Sequence, residues 1–191
     1  MKEKLFLLLF CLVACSCASV PHESIYPVYI TNTAKFNLLP AENISCNIDE
    51  LQHISAVFGS GSKKREIEGD AYVVASQNGI LMILLNEFGT TMAELCYDGK
   101  SVRFESPLFP KNIKAEYVVA DFQFCWYDFD TVRKALSNIG LDFYRDDSEK
   151  TETYIISKGK KIISKITKTE NMVQYTNFLR NYSYTLTSSS F

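Results

Sequence analysis

The sequence predicts an α+β fold in which an antiparallel sheet of about nine to eleven strands is combined with one or two helices. Two observations support this prediction. Short runs rich in β-branched and aromatic residues follow one another closely, and tight turns separate them, as in antiparallel meanders. In the middle of the chain, apolar residues instead recur at three- and four-residue intervals, which is the period of an amphipathic helix.

The amino terminus has the features of a bacterial lipoprotein signal peptide. Lys2 and Lys4 precede the nine apolar residues 5–13, a run too short to cross a bilayer about 30 Å thick. The run ends in Leu-Val-Ala-Cys, which resembles the lipobox whose cysteine becomes the acylated first residue of the mature chain. We therefore expect lipidation at Cys15. The alternative is an ordinary secretory signal, in which Cys15 and Cys17 have no such role.

The expected domain organisation follows from this assignment. It comprises a signal peptide at 1–14, a lipidated amino terminus and tether at 15–35, and one folded domain at 36–191. The tether contains prolines and shows no periodicity. Within the domain, 36–54 is ambiguous, and its end, 47–54, is compatible with a short capped helix.

Most of the remaining segments are predicted strands. In chain order they are 54–59, 70–76, 80–85, 90–97, 101–105, 142–145, 152–157, 161–168, 173–178 and 182–187. The dipeptides Asn78-Gly79 and Asp98-Gly99 are strong hairpin signals, because glycine allows the backbone angles that two-residue turns require. The first half of the domain is therefore predicted to form an antiparallel meander.

The segment between the two groups of strands is different. Periodicity alone leaves 117–124 open as helix or strand. The stretch 126–139 has apolar residues at helical spacing, with Asp128 or Asp130 available as the amino-terminal cap and Gly140 as the stop. We expect an amphipathic helix there.

Composition and motifs exclude several kinds of function. The net charge of −2 provides no concentrated basic surface for nucleic acid, and after the signal no apolar run approaches eighteen residues. His22 and His53 are the only histidines, and no G-x-S-x-G motif is present, so we expect no enzymatic activity.

Cysteine spacing leads to a similar expectation for metals. Cys46, Cys96 and Cys125 are far apart in the sequence and form no C-x-x-C pair, so we expect neither a metal site nor another cofactor. A single disulfide among these three cysteines stays open, because an oxidising compartment would permit one.

Several segments resemble known lipoproteins. Residues 83–91, followed by Tyr97-Asp98-Gly99, resemble the strand–loop–strand of LolB-like outer-membrane lipoproteins, in which the loop reads roughly N-P-L-G. Residues 118–126 and 181–186 resemble segments of a lipoprotein family of unknown function that is often encoded near aryl-polyene or flexirubin pigment genes. Together the resemblance covers roughly 55–187.

This resemblance implies a LolA/LolB-like antiparallel half-barrel, covered by helices, with an apolar cavity able to hold acyl chains. It places Phe88 at the loop position whose apolar side chain contacts ligand or membrane, although Glu87 stands where the loop has proline. It also marks Asp121, Gln123 and Trp126 as a motif with either a structural or a ligand-binding role.

Together these features predict a monomeric lipoprotein of the outer membrane, facing the periplasm and held in the lipid bilayer by an acyl group such as palmitate on Cys15. Its expected role is to bind a hydrophobic or acylated ligand, a lipid or a lipoprotein, for outer-membrane delivery. The alternative is a structural or assembly lipoprotein that binds a protein partner and has no ligand cavity.

Overall fold

The computed structural model describes residues 27–59, 61–106, 114–146 and 151–188. The strands in this part of the chain are β1 (Val28–Tyr29), β2 (Lys35–Phe36), β3 (Ile48–Phe58), β4 (Arg65–Ser76), β5 (Gly79–Leu85), β6 (Thr91–Tyr97), β7 (Val102–Glu105), β8 (Asp142–Arg145), β9 (Glu152–Lys158), β10 (Lys161–Lys168), β11 (Met172–Asn177) and β12 (Tyr182–Ser188). The α-helices are α1 (Ala115–Trp126) and α2 (Phe129–Ser137).

Ten of these strands form one antiparallel sheet in the order β7-β6-β5-β4-β3-β12-β11-β10-β9-β8. Each half of the sheet is a meander of neighbouring hairpins, and the two halves are joined where β3 pairs with β12. The described sheet is open, since β7 and β8 stand at opposite ends of the order. The predicted fold class is confirmed: a large open antiparallel sheet with two helices.

Glycine is required at the first predicted hairpin for two reasons. Gly79 has a φ of 143°, a backbone angle that residues with a side chain rarely adopt. A Cβ atom at this position would also lie 2.4 Å from the carbonyl oxygen of Tyr97 on β6. The Asn78-Gly79 signal therefore predicts this hairpin correctly, although the turn residues are Gln77 and Asn78 and Gly79 is the first residue of β5. The close approach of β6 explains why the residue is glycine.

The ambiguous segment 47–54 belongs to the sheet and not to a helix. From Ile48 onward it pairs residue by residue with β4, for example Gln52 with Ala71. Buried and exposed side chains broadly alternate along it, with Ile48 and Gln52 buried and Asp49 and His53 exposed. The residues of β4 that pair with this segment lie at 69–75 of the chain, so the local pattern of 47–54 does not decide between helix and strand.

The middle of the domain forms two helices, and the open choice at 117–124 is settled in favour of helix. Tyr127 has extended backbone angles and separates α1 from α2, so the amphipathic helix begins at Phe129 and not at 126 as predicted. Asp128 is its cap, since the carboxylate accepts a hydrogen bond of 2.8 Å from the backbone N–H of Thr131. This bond and the one from the Thr131 hydroxyl hold the pKa of Asp128 below its usual value.

The core extends further toward the amino terminus than the predicted boundary at residue 36. The β1–β2 hairpin buries Val28 and Phe36, which are each 1% exposed. The Phe36 ring packs edge-on against Phe124 of α1, with ring centroids 5.0 Å apart. The described part of the predicted tether, 27–35, is therefore packed against the domain.

Candidate ligand-binding site

A cavity of about 520 Å³ lies between the inner face of the sheet and α1. On the sheet side it is lined by Ile54, Ala56 and Phe58 of β3, Ala71 and Val73 of β4, Met82 of β5, and Tyr182, Tyr184 and Leu186 of β12. The opposite wall consists of Lys114, Tyr117, Val118, Asp121, Phe122 and Trp126, and the turn before β12 adds Arg180.

The strand sequences explain both the lining and the empty space. Successive residues of a strand point to opposite faces, so every second side chain of β3 and β12 faces α1. Ala56 and Ala71 lie on the floor of the cavity on neighbouring strands. Their side chains are too short to fill the distance between sheet and helix, and space remains between them and α1.

One end of the cavity opens to solvent where β3 ends and where α1 and β12 begin. Phe58 and Val118 are 41% and 43% exposed there. At the same end, the guanidinium carbon of Arg180 lies 4.5 Å from the centre of the Tyr117 ring. Lys114 is one helical turn from that ring, because its carbonyl accepts the Tyr117 N–H at 3.1 Å. We call Lys114, Tyr117 and Arg180 the mouth.

Asp121 faces the cavity one helical turn further along α1 and is 7% exposed. Its carboxyl oxygen accepts a hydrogen bond of 2.5 Å from the hydroxyl of Tyr182. The Tyr175 ring stacks between those of Tyr182 and Tyr184, at centroid distances of 6.0 and 5.3 Å. The carboxyl group therefore lies against a wall of three stacked tyrosines.

Burial dominates the protonation of this cluster. Loss of hydration raises the pKa of Asp121 to about 7, although hydrogen bonds from Tyr182 and Tyr175 and the charge of Arg180 act in the opposite direction. Burial likewise raises the pKa of Tyr182 and of Tyr175 above the usual value of a tyrosine. Near neutral pH the carboxyl is partly protonated and both hydroxyls keep their protons.

Trp126 lines the cavity at the other end of α1. The ammonium nitrogen of Lys168 lies 5.3 Å from the centre of its ring and the same distance from the ring of Tyr154. The indole is half-buried and is the only tryptophan of the chain.

Gln123 has a different position from the other two residues of the predicted motif. It is fully buried and is not part of the cavity wall. Its side-chain oxygen accepts the N–H of Leu39 at 2.9 Å, while its amide donates to the carbonyl of the same residue at 2.7 Å. Gln123 therefore binds the segment before β3 to α1, which is a structural role.

Phe88 lies outside the cavity wall, at the tip of the turn between β5 and β6, and is 83% exposed. The turn is held by the side chain of Asn86, which accepts the N–H groups of Phe88 and Thr90 at 3.0 and 2.9 Å. By the antiparallel registers, β5 runs in the same direction as β3, and its last residue, Leu85, is level with His53, before the end of β3 at Phe58. The turn that carries the exposed ring therefore extends toward the end of the sheet where the mouth lies.

The described residues also include the three cysteines of the domain. Cys46, Cys96 and Cys125 are all free thiols. Within the described ranges, no group of three His, Cys, Asp or Glu side chains is placed to hold a metal ion. Of the helices that the structure describes, none is long and apolar enough to cross a membrane. Cys15 and the predicted signal peptide lie outside the described residues.

Sequence reasoning missed the residues that surround Asp121. Tyr175, Arg180 and Tyr182 come from the last third of the chain and reach α1 only through the order of strands in the sheet. A partial signal was present, because the alternation in 182–187 places Tyr182 and Tyr184 on one face of a strand. Nothing in the local sequence indicates that this face meets α1.

Comparison with known proteins finds a matching family and similar solved structures. A family model described as a protein of unknown function (DUF3261) matches residues 49–190. Among curated proteins, no sequence matches the chain. A crystal structure described as an outer membrane lipoprotein-sorting protein domain from Vibrio parahaemolyticus is similar over 74% of this chain and 83% of its own, with 8% identity and a TM-score of 0.36.

Proposed function

The chain belongs to the DUF3261 family of proteins of unknown function, and we propose that it binds a hydrophobic, acyl-type ligand in the cavity between α1 and the sheet. We further propose that it acts as a lipoprotein of the outer membrane, held in the bilayer through an acylated Cys15 and facing the periplasm. In this role it receives or delivers a lipid or an acylated protein. No covalent chemistry is required of its residues.

The apolar cavity is the observation that supports ligand binding most directly. Its volume of about 520 Å³ lies within the range of roughly 300 to 1,000 Å³ typical of small-molecule sites. Most of its walls are aliphatic or aromatic side chains, and its exposed end provides an entrance. An acyl chain that enters is removed from water, which contributes about 0.8 kcal/mol for each buried methylene group.

The position of Phe88 supports exchange with a membrane. A phenylalanine side chain that is 83% exposed on a well-ordered turn makes little contribution to folding, but it can be buried in a bilayer. Because the turn extends toward the end of the sheet that carries the mouth, insertion of the ring would bring the cavity entrance toward the lipid surface. The acyl group on Cys15 would hold the domain nearby.

Trp126 allows a direct test of ligand binding. It is the only tryptophan and lines the cavity, so its fluorescence reports what enters there. We expect a fatty acid with a brominated chain to quench this fluorescence in a saturable manner when added to the full chain in nanodiscs. Bromine quenches only on close approach, so quenching at saturation shows that the chain reaches the cavity.

Two phenylalanine substitutions on one strand provide the control. Ala56→Phe places a ring in the cavity and should abolish saturable quenching, whereas Ser55→Phe adds the same ring to the opposite face of β3 and should not. If the Ala56→Phe protein is as folded as the parent and is quenched equally well, the ligand does not occupy the cavity. In that case the structural or assembly role becomes the better account.

The membrane role needs its own measurements. Cells expressing the full chain and fed radiolabelled palmitate should label it, and Cys15→Ala should remove the label. Phe88→Glu should slow the transfer of the brominated fatty acid from the protein to acceptor vesicles. The free energy of unfolding, measured in urea, should stay within about 0.5 kcal/mol of the parent because the ring is exposed. An unchanged transfer rate would contradict the membrane role of Phe88.

A further inference from the structure

We infer that the ligand is an amphiphile with an anionic headgroup, whose carboxylate or phosphate binds Lys114 and Arg180 at the mouth while its acyl chain lies in the cavity. This inference rests on the proposed function and specifies its ligand. It follows from the charges at the exposed end of an otherwise apolar site.

Among the described residues, neither cation at the mouth, Lys114 or Arg180, forms an ion pair with a carboxylate. The hydrogen bonds from the guanidinium go to the neutral backbone carbonyls of Tyr29 and Ile30. An arginine side chain has five N–H groups, so several donors remain for an incoming anion.

The guanidinium is also held in place before any ligand arrives. The two carbonyls of the β1 region fix one side of it, and the ring of Tyr117 lies 4.5 Å from its central carbon. Tyr117 in turn is held by the N–H of Tyr29, which donates to its hydroxyl at 3.3 Å. A donor that is already positioned loses little freedom when it binds a headgroup, which favours affinity.

The one carboxyl group among the described residues that line the cavity does not cancel these charges. Asp121 is hydrogen-bonded to Tyr182, and burial favours its neutral form up to about neutral pH. The neighbouring carboxylate on α1, Glu116, is buried and is not part of the cavity wall. The wall therefore combines apolar surface with net positive charge at its entrance.

This charge distribution predicts selectivity between amphiphiles with the same chain. Hydrogen bonds to an ionised group are roughly twice as strong as those between neutral groups, so two cationic donors should favour an anionic headgroup by about tenfold or more in affinity. A fatty acid and a lysophospholipid present different anions to the same donors. A monoacylglycerol presents hydroxyl groups and should bind more weakly.

Quenching of Trp126 can measure this selectivity. The full chain in nanodiscs of zwitterionic phosphatidylcholine is titrated with three ligands that carry the same brominated chain: a fatty acid, a lysophosphatidic acid and a monoacylglycerol. We expect at least one anionic ligand to bind about tenfold or more tightly than the monoacylglycerol. Preference for the fatty acid identifies a carboxylate as the headgroup that binds at the mouth, and preference for the lysophosphatidic acid identifies a phosphate.

Lys114→Gln tests the source of the preference. It should reduce the affinity for the preferred anionic ligand several-fold, with little change for the monoacylglycerol. Lys100→Gln is the matched control, because Lys100 is an exposed lysine in the turn between β6 and β7, away from the cavity wall. For each ligand, the affinity of the variant is compared with that of the parent. Differences between the ligands in how they partition into the nanodisc then cancel.

Arg180→Gln provides a second variant. Because Arg180 also holds β1, the urea midpoint and the affinity for the monoacylglycerol are measured alongside, and a selective loss of anion affinity supports the inference. If all three ligands bind equally, or if both mouth variants keep the full preference, the inference is wrong while the proposed function stands. If none of the ligands quenches Trp126, the proposed function itself fails.

Discussion

Replacing Asp121 by asparagine should remove a large pH dependence of stability. The carboxyl is 7% exposed, and burial raises its pKa from 3.8 to about 7. A group whose pKa is raised on folding binds its proton more tightly in the folded state. Its contribution to stability is therefore complete below pH 3.8 and is lost as the pH rises through about 7.

The size of the effect follows from the two pKa values. A rise from 3.8 to about 7 corresponds to a total of about 4 kcal/mol, since each unit of pKa is worth about 1.4 kcal/mol. About 2 to 3 kcal/mol of this total is lost between about pH 5 and about pH 8. Among the described residues, the other carboxyl groups with a clear shift, Glu66, Asp98 and Asp128, have lowered pKa values and change the stability only at lower pH.

Urea unfolding of the full chain at about pH 5 and about pH 8 measures the effect, with m-values checked to be equal. Asparagine has nearly the same shape and can still accept the hydrogen bond from Tyr182, so the Asp121→Asn protein should fold and show an almost flat profile. Asp130→Asn is the control, because Asp130 is exposed on α2 and should leave the pH dependence of the parent unchanged.

The outcome that refutes this reasoning is specific. A parent protein whose free energy of unfolding is constant between the two pH values would show that Asp121 stays ionised in the folded state. The same conclusion would follow if the Asp121→Asn protein kept the slope of the parent. Either result would mean that hydrogen bonds and the charge of Arg180 outweigh the loss of hydration at this site.

Three further predictions concern the framework around the site. Gln123→Leu should lower the free energy of unfolding by about 1 to 3 kcal/mol, because the part-buried N–H and carbonyl of Leu39 both lose the fully buried side chain that they bond; urea titration measures this loss. Asp128→Ala should lower the free energy of unfolding by about 1 kcal/mol near neutral pH, because α2 loses its cap. The difference from the parent should shrink as the pH falls below 3.8, because the Asp128 carboxylate of the parent then becomes protonated. Cys46 should react quickly with a thiol reagent and Cys125 only after unfolding, which peptide mass spectrometry resolves, since the first is exposed and the second is buried.

The strands were predictable because their signals are local. The Asn78-Gly79 signal indicates the hairpin of β4 and β5, in which Ser76 pairs with Gly79 and the turn residues are Gln77 and Asn78. The same holds for the cap at Asp128, where one side chain and the next turn of helix decide the structure. In each case the interacting groups are close in sequence, and the pattern contains the necessary information.

One open choice and one inaccurate boundary came from segments whose structure depends on distant partners. Helix α1 is buried on nearly all sides, so it shows no apolar stripe and its periodicity could not separate helix from strand. The segment 27–35 looks like a tether because its strands have two residues each, and only packing against α1 fixes it. In both cases the evidence lies in tertiary contacts.

The candidate site was predictable only in part. A carboxylate within the apolar segment around Asp121 indicates that a polar partner must exist, because burial of an unpaired charge is costly. The identity of that partner, Tyr182, depends on the pairing of β12 with β3 and could not be read from either segment. Lys114 and Arg180 show no local feature that separates them from surface cations.

The pairing of β3 with β12 also has a consequence for how the protein is made. It joins positions far apart along the chain, from Tyr182 with Phe58 to Ser188 with Gln52, and it is the seam between the two meanders. Each meander can form early from nearby residues, but the seam requires one of the last strands to arrive, which makes it a slow step. Until then, the central edge strands of both halves stay unpaired, and their free backbone groups are open to pairing with another chain.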